Sequence, residues 1–349
     1  MGAIVSSTKA KAKIKSKIPP AKRKAAKPEK ASKATDPKKT ADDLISEVNA
    51  GGNGKAEALI RTLCAEIDRL RAAKPTPKFE ARKGKAAKHT IEMIVPDSHG
   101  EHIDLEARDA FLRDLAQVKP DTIIMLGDHL DAGGTFSSHQ RNYTHEMTES
   151  YDADVNAANE FLDLIQQASP NSRIHYLSGN HEQHIERWVA RTFQSYADAK
   201  MVLERLGPEA VLRLRERGIT YYQSGEKYMG LSIPGTIRLG KCFYTHGVSH
   251  GRHATSTHLD RFGASVWHGH THRAQSVISR TVTADGLGAW CPGTLAKLQP
   301  LYRHTAPTMW SHGYGLQFTN ASTGRFSAML IPIIDGSSML MTDAMASRE

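Results

Sequence analysis

Five short polar motifs in this 349-residue sequence combine the residue types that bind divalent metal ions. Their side chains are aspartate, asparagine and histidine, each placed close to a glycine or a proline. In chain order the motifs are Pro96-Asp97-Ser98-His99, Gly127-Asp128-His129-Leu130-Asp131, Gly179-Asn180-His181-Glu182, His246-Gly247 and Gly269-His270-Thr271-His272. Oxygen and imidazole donors without thiolates suit Mn, Fe, Zn, Co or Ni rather than a structural zinc site.

Each motif directly follows an apolar run with the pattern of a buried strand. The runs Ile91–Val95, Thr122–Leu126 and Ile174–Leu177 alternate with the helical patterns Leu105–Val118 and Val155–Ala168, which predicts a parallel sheet. In such sheets ligands bind where the strands end. A single aspartate there is often a helix cap and a single histidine a buried polar residue. Because the pattern recurs at five strand ends, we expect one shared site.

The second half of the chain predicts a further sheet. After Glu182–Glu216, a helical stretch broken at Gly207-Pro208, short strand patterns follow one another. They are Thr220–Gln223, Tyr228–Ile233, Lys241–Thr245, Ala264–Trp267, Ala274–Ser279, Gly315–Thr319 and Phe326–Ile331. We therefore predict an α/β fold in which two packed sheets are flanked by helices.

The number of candidate ligands predicts two metal ions. Seven side chains, Asp97, His99, Asp128, Asn180, His246, His270 and His272, are too many for one ion with open positions. With one carboxylate bridging, they would serve two ions roughly 3.5–4 Å apart, which together activate a hydroxide for attack at phosphorus.

The order and spacing of these motifs resemble those of the calcineurin-like metallophosphoesterases over roughly residues 90–332. That resemblance implies a four-layer α/β/β/α sandwich. It also implies that Asp97, His99 and His272 hold one ion, that Asn180, His246 and His270 hold the other, and that Asp128 bridges them. Mn is the favoured metal, with Fe, Zn, Co or Ni as alternatives.

The resemblance implies roles for four further residues. His181 would stand beside the metals and act catalytically, protonating the leaving oxygen. Glu182 and Asp131 would orient loops and ligands. Arg273 would contact the substrate phosphate or form a surface ion pair.

The basic charge lies almost entirely in one segment. Residues 1–40 contain thirteen Lys and Arg against Glu29 and Asp36, a net charge of +11, so that the rest of the chain carries 9 − 11 = −2. We predict a disordered basic arm at 1–40, a helical hairpin at 41–73, a basic linker at 74–88, the metallophosphoesterase domain at 89–335 and a tail at 336–349.

These observations predict a hydrolase that cleaves phosphodiesters. The protein serine/threonine phosphatases have other residues where this sequence has Pro96 and Ala132-Gly133-Gly134. The repair nucleases have another residue where it has Glu101. Phage and bacterial phosphodiesterases tolerate these features. The basic arm favours DNA or RNA as substrate, hence a nuclease that binds DNA. The alternatives are a small-molecule phosphodiesterase or phosphomonoesterase with a non-catalytic tail, and a nucleic-acid-binding or virion protein with a vestigial site.

The location follows from what the sequence lacks. No apolar run of membrane-spanning length and no secretory signal is present, which predicts a cytoplasmic protein without a membrane partner, or a nuclear or host-cell protein if the source is eukaryotic or viral.

Overall fold

The computed structural model describes residues 88–132, 136, 150–223, 227–228, 231–280, 286–303, 306–338 and 340, together with Arg69. The predicted basic arm, helical hairpin and linker lie outside the described residues, apart from Arg69 and Lys88. At the other end, the described sheet extends to Ser338, beyond the predicted domain end at 335. No helix in the described part of the chain is long and apolar enough to cross a membrane.

The larger sheet has seven strands in the order β14-β13-β12-β1-β2-β3-β4. They are β1 (His89–Val95), β2 (Thr122–Met125), β3 (Arg173–Leu177), β4 (Thr220–Tyr222), β12 (Gly313–Asn320), β13 (Phe326–Ile334) and β14 (Ser337–Ser338). Strands β1 to β4 are mutually parallel, as the strand–helix–strand pattern predicted, and β12 is antiparallel to β1.

The smaller sheet has five strands in the order β10-β11-β9-β8-β7. They are β7 (Thr236–Leu239), β8 (Cys242–Thr245), β9 (Ser265–His268), β10 (Ala274–Ser279) and β11 (Leu287–Pro292). Strands β8, β9 and β11 are parallel. A separate two-stranded hairpin joins β5 (Lys227–Tyr228) to β6 (Leu231–Ser232), where the sequence pattern predicted one continuous strand.

Six helices connect or cover the sheets in the described residues. They are α1 (Leu105–Val118), α2 (Tyr151–Ala168), α3 (Glu182–Thr192), α4 (Tyr196–Leu206), α5 (Pro208–Val211) and α6 (Ala254–Phe262). The Asp104 carboxylate caps α1 by accepting the Ala107 N–H at 3.0 Å, and the Ser150 hydroxyl caps α2 by accepting the Ala153 N–H at 3.1 Å. These caps satisfy N–H groups that have no partner inside the helix.

Three buried apolar clusters separate four layers. The first packs α1 and α2 against one face of the larger sheet, with Phe111 and Met93 at its centre. The second fills the space between the two sheets and includes Ile124 and Trp267. The third packs α6 on the outer face of the smaller sheet through Leu259. The molecule is therefore the predicted α/β/β/α sandwich.

Candidate metal centre

The carboxyl ends of five strands meet at one edge of the sandwich. Strands β1, β2 and β3 lie side by side in the larger sheet, and β8 and β9 lie side by side in the smaller one. Their following loops bring the predicted ligands together in three overlapping groups, within each of which the ligand atoms lie within 4.8 Å of one another. The groups are Asp97, His99 and His272; His99, Asp128 and His181; and Asp128, His246 and His270.

The first group joins the end of β1 to the loop after β9. Nε2 of His272 lies 3.0 Å from Oδ2 of Asp97 and 3.0 Å from Nε2 of His99. Nδ1 of His99 lies 2.6 Å from Oδ1 of Asp131, which places the proton of His99 on Nδ1 because a carboxylate only accepts. Nε2 of His99 therefore directs a lone pair toward the other two side chains.

The third group, Asp128, His246 and His270, is centred on Nε2 of His246. This atom lies 2.9 Å from Oδ1 of Asn180, 3.2 Å from Nδ1 of His270 and 3.1 Å from Oδ2 of Asp128. Nδ1 of His246 lies 3.1 Å from the Leu126 carbonyl oxygen, and donation there means that the neutral ring would present an unprotonated Nε2 to a metal ion.

Two clusters of converging acceptors require positive charge between them. Both clusters are buried apart from the half-buried Asn180 and His270, and lone pairs aimed at one another repel unless a proton or a cation lies between them. Aspartate, asparagine and imidazole donors are those that borderline divalent ions prefer. The residues present therefore fit a pair of divalent ions, with Asp128 sharing one group with His99 and another with His246 and His270.

The pKa values of the site are set by burial and by the charges of the neighbouring side chains. Burial alone would lower the pKa of His246, but the Asp128 carboxylate outweighs it and raises the pKa to about 9. Burial alone would raise the pKa of Asp97, but His272 holds that pKa below its usual range. The pKa of His270 falls to about 4, because burial and then the neighbouring His246 disfavour its charged form.

Four of the seven candidate ligands have left-handed backbone conformations. Their φ angles are 52° at His99, 52° at Asp128, 68° at His270 and 56° at His272. Residues other than glycine adopt this conformation at a cost of about 1–3 kcal/mol each, and such residues cluster at functional sites. The neighbouring contacts must therefore hold these ligands in place.

Two glycines make room for the candidate ligands. A Cβ atom on Gly179 would lie 2.1 Å from Oδ1 of Asp128, and one on Gly269 would lie 2.4 Å from Oδ1 of Asp97. Both distances are far below van der Waals contact, so any side chain at either position displaces the carboxylate.

Glu182 holds the loops after β2 and β3 together. Its carboxylate is fully buried and accepts the backbone N–H groups of Asp128, His129, Leu130 and Gly179 at 2.8–3.1 Å. It also accepts the Tyr176 hydroxyl at 2.8 Å. Burial and the neighbouring Asp128 raise the pKa of Glu182. These contacts are those of a residue that positions Asp128.

Asp131 connects His99 to His181. Its Oδ1 lies 2.6 Å from Nδ1 of His99 and 3.1 Å from Nδ1 of His181. Its carbonyl oxygen lies 2.7 Å from Nδ1 of His181. Both imidazoles thus direct Nδ1 at Asp131, so that each presents Nε2 to the metal site.

Asp154 supports Asp131 and was missed by the sequence reasoning. This buried residue of α2 accepts the backbone N–H groups of Asp131 at 3.1 Å and Ala132 at 2.8 Å. An aspartate in the first turn of a helix is ordinarily explained as a partner of the helix dipole. No local signal in the sequence indicates that it contacts a loop from a different strand.

His181 is more accessible than the other two members of its group, His99 and Asp128. Its side chain is 22% exposed, against 2% for Asp128, and its Nε2 lies 4.0 Å from Oδ2 of Asp128. Burial lowers the pKa of His181, but the carboxylates of Asp128 and Asp131 more than compensate and raise the pKa to about 10. The ring can therefore hold a proton at Nε2 beside the site.

Arg273 makes a different set of contacts from those expected. Its guanidinium donates to the carbonyl oxygens of His250 at 3.1 Å and Gly251 at 2.6 Å, and so fastens the loop that follows His246. This loop also places the His250 ring 6.0 Å from that of His270. Contact of Arg273 with a substrate phosphate stays a prediction.

The layers, the strand order and the position of the motifs agree with the fold implied by the sequence. The four-layer α/β/β/α arrangement is the one that the resemblance to the calcineurin-like metallophosphoesterases implied.

Comparison with known proteins gives only distant similarity. No protein-family model matches the chain, and no curated protein matches it. Solved structures that resemble it include vacuolar protein sorting 29 from Cryptosporidium parvum, at 12% identity and a TM-score of 0.39, covering 72% of this chain and 95% of that one. YfcE, a phosphoesterase from E. coli, matches at 14% identity and a TM-score of 0.31, covering 68% of this chain and 98% of that one.

Proposed function

We propose that this protein is a metal-dependent phosphodiesterase whose substrate is a nucleic acid. The observation that carries the proposal is the pair of neighbouring ligand clusters between which Asp128 lies, since Asp128 shares one group with His99 and another with His246 and His270. Asp97, His99 and His272 would hold one divalent ion, and Asn180, His246 and His270 the other, with Mn the favoured metal. Two ions, when bound, supply activation of water and neutralisation of the charge on the phosphoryl oxygens.

His181 would supply the proton for the leaving oxygen. Its Nδ1 is engaged by Asp131, and its partly exposed Nε2 is directed toward Asp128. An imidazole with a raised pKa holds its proton at neutral pH, as a general acid must before the bond breaks. Metal binding to Asp128 would reduce the charge that this carboxylate presents to His181 and bring the pKa nearer to neutrality.

The choice of nucleic acid rests on charge. The segment 1–40 carries a net charge of +11, which binds polyanions by releasing their counterions. In the folded domain, Arg187 is exposed and its guanidinium lies 3.5 Å from the Asn180 carbonyl oxygen, next to a candidate ligand. A cation at this position would favour the approach of an anionic backbone.

The test is a parallel assay on bis-p-nitrophenyl phosphate, p-nitrophenyl phosphate, single-stranded DNA, duplex DNA and RNA, each with Mn, Co, Ni and Zn. We expect metal-dependent turnover of the diesters and of at least one nucleic acid. Turnover of the small esters alone would favour a small-molecule esterase. Absence of turnover with all four metals would contradict an enzymatic function and favour a binding protein with a vestigial site.

The variant that tests the ligand set is Asp128→Asn, because it keeps the size of the side chain and removes the charge shared by both groups. We expect it to abolish turnover and to reduce the metal bound per protein, as measured by plasma emission spectrometry after desalting. Glu160→Gln, which alters an exposed carboxylate on α2, should leave both quantities unchanged.

A further inference from the structure

A half-buried tryptophan stands directly beside the metal centre. The Trp310 ring contacts that of the candidate ligand His272, with 4.2 Å between centroids and 67° between planes. Neither the proposed hydrolysis nor the ligand set uses this residue. Large aromatic rings that stay partly exposed beside a catalytic centre are candidates for substrate contact.

The backbone around Trp310 holds the ring in a fixed position. The Ser311 N–H donates to the His272 carbonyl oxygen at 2.9 Å, and the Ser311 hydroxyl accepts the Ala274 N–H at 2.8 Å. On the other side, the Thr308 hydroxyl donates to the Leu298 carbonyl oxygen. Because Trp310 is tied to the same segment as His272, its position relative to the metal site is set by the fold.

A guanidinium faces the indole. The Cζ atom of the exposed Arg303 lies 6.0 Å from the centroid of the Trp310 ring. A planar ring stacked between the two groups needs a separation of about 7 Å, twice the ordinary contact distance of about 3.5 Å. A shift of about 1 Å in the long Arg303 side chain would open that space. Aromatic rings and arginine planes are the groups on which nucleic-acid bases stack.

We propose that Trp310 and Arg303 form a subsite for a nucleobase next to the metal pair. This inference rests on the proposed function and specifies it, since it makes the substrate a nucleotidyl diester with an unpaired, accessible base. A base lies one sugar ring from its phosphate, so a phosphate at the metal pair would place its base beside the His272 edge of the site. A base paired in a duplex could not enter the space between two side chains.

The experiment compares two esters that share the same leaving group. Thymidine 5′-(p-nitrophenyl phosphate) and methyl p-nitrophenyl phosphate differ only in the nucleoside that the subsite would bind. We expect wild-type protein to prefer the nucleoside ester, chiefly through KM. Trp310→Ala should reduce this preference, expressed as a ratio of kcat/KM values, about tenfold, since stacking on one aromatic ring contributes about 1–3 kcal/mol per base.

Three variants separate stacking from a structural effect. Trp310→Tyr keeps an aromatic face and should restore most of the preference. Arg303→Ala should reduce the preference less than Trp310→Ala does. Met309→Ala, at an exposed neighbour, should leave the ratio unchanged. If Trp310 only supports His272, Trp310→Ala will slow both esters in parallel and leave the ratio at its wild-type value, which contradicts the subsite.

A binding measurement distinguishes this inference from the proposed function. Calorimetric titration of the Mn-loaded protein with thymidine 5′-monophosphate and with deoxyribose 5-phosphate should show tighter binding of the nucleotide, and Trp310→Ala should remove the difference. If neither ester is hydrolysed but this difference is present, the proposed function fails and the subsite stands. If both esters are hydrolysed equally and the two ligands bind equally, the subsite fails and the hydrolase stands.

Discussion

Asp154 accepts the backbone N–H of Asp131 at 3.1 Å, although the two residues lie 23 positions apart and on different elements. Asp131 in turn lies 2.6 Å from His99 and 3.1 Å from His181. One buried carboxyl group on a helix thus fixes the residue that orients two histidines of the site.

We predict that Asp154→Ala destabilises the protein and weakens the site. Two buried N–H groups, those of Asp131 and Ala132, lose their acceptor, which costs on the order of 2 kcal/mol in the free energy of unfolding. Loss of a residue that supports ligands typically lowers metal affinity or activity by about 10- to 100-fold. Urea unfolding and metal titration measure the two effects.

Asp154→Asn provides the matched comparison. Burial and then the Asp131 carboxylate raise the pKa of Asp154 well above its usual value, which favours the neutral acid at pH 7. A neutral amide keeps one of the two acceptor oxygens, so we expect Asp154→Asn to keep one of the two hydrogen bonds and to lose less stability than Asp154→Ala. Equal losses in the two variants would show that Asp154 acts as a carboxylate instead.

Gly179→Ala should disrupt the metal centre, because the new Cβ would lie 2.1 Å from Oδ1 of Asp128. We expect at least a tenfold loss of metal affinity, measured by calorimetry, together with loss of turnover. Gly251→Ala is the control, since its Cβ would meet no atom within 4 Å. A Gly179→Ala protein with normal metal binding would contradict the placement of Asp128.

The affinity for metal should rise with pH between about 7 and 9. Burial alone would lower the pKa of His246, but Asp128 raises it to about 9. The ring is therefore protonated at pH 7, whereas a metal ligand must be the neutral imidazole. Binding therefore releases a proton, and the apparent dissociation constant should fall as pH rises toward 9. Calorimetry in buffers of different ionisation enthalpy measures the proton count, and a count of zero at pH 7 would contradict this role for His246.

The stability of the metal-free protein should fall as pH rises, whereas its affinity for metal increases. A histidine whose folded-state pKa lies above its unfolded value stabilises the fold below about pH 6.5, and this contribution is lost as pH rises through about 9 to 10. The Tm of the metal-free protein should accordingly fall between pH 7 and 10. Metal-loaded protein should show a smaller decrease, because cations replace the protons.

His181→Gln should retain metal and lose turnover. The side chain contacts Asp131 and stands beside Asp128, and a general acid, the role proposed for it, contributes about 100-fold or more in rate. Metal content by emission spectrometry should stay at the wild-type value, while kcat falls. The deficit should be smaller for a p-nitrophenolate leaving group, which needs little protonation, than for a DNA strand. Loss of metal in this variant would instead make His181 a ligand.

Removal of residues 1–40 should weaken DNA binding without slowing small-ester hydrolysis. The segment contributes thirteen of the positive charges, so deletion should reduce the slope of log affinity against log salt and lower affinity at least tenfold near 100 mM salt. Fluorescence anisotropy over a salt series measures both. Unchanged affinity would leave the segment without a role in substrate binding.

Much of the fold followed from local patterns. Helix α1 begins and ends where its apolar spacing predicted, at Leu105 and Val118, and strand β10 likewise spans Ala274–Ser279. Four of the strands and helices in the described residues were not predicted: β7, α6, β11 and β14. Helix α6, Ala254–Phe262, has three threonine or serine residues and one histidine, and β11, Leu287–Pro292, contains Gly288 and ends in proline. Their intrinsic preferences are weak, and packing between the layers stabilises them instead.

The sequence by itself determined which side chains could bind metal and that each follows a strand, because residue types and short-range spacing are local properties. Only the tertiary structure decided how they group. His99 and His272 are 173 positions apart, and the packing of the sheet that contains β9 on the sheet that contains β1 brings their Nε2 atoms to 3.0 Å. The contacts of Asp154 with Asp131 and of Trp310 with His272 have the same origin. They depend on which elements pack together, and that choice is made by the burial of apolar surface over the whole chain.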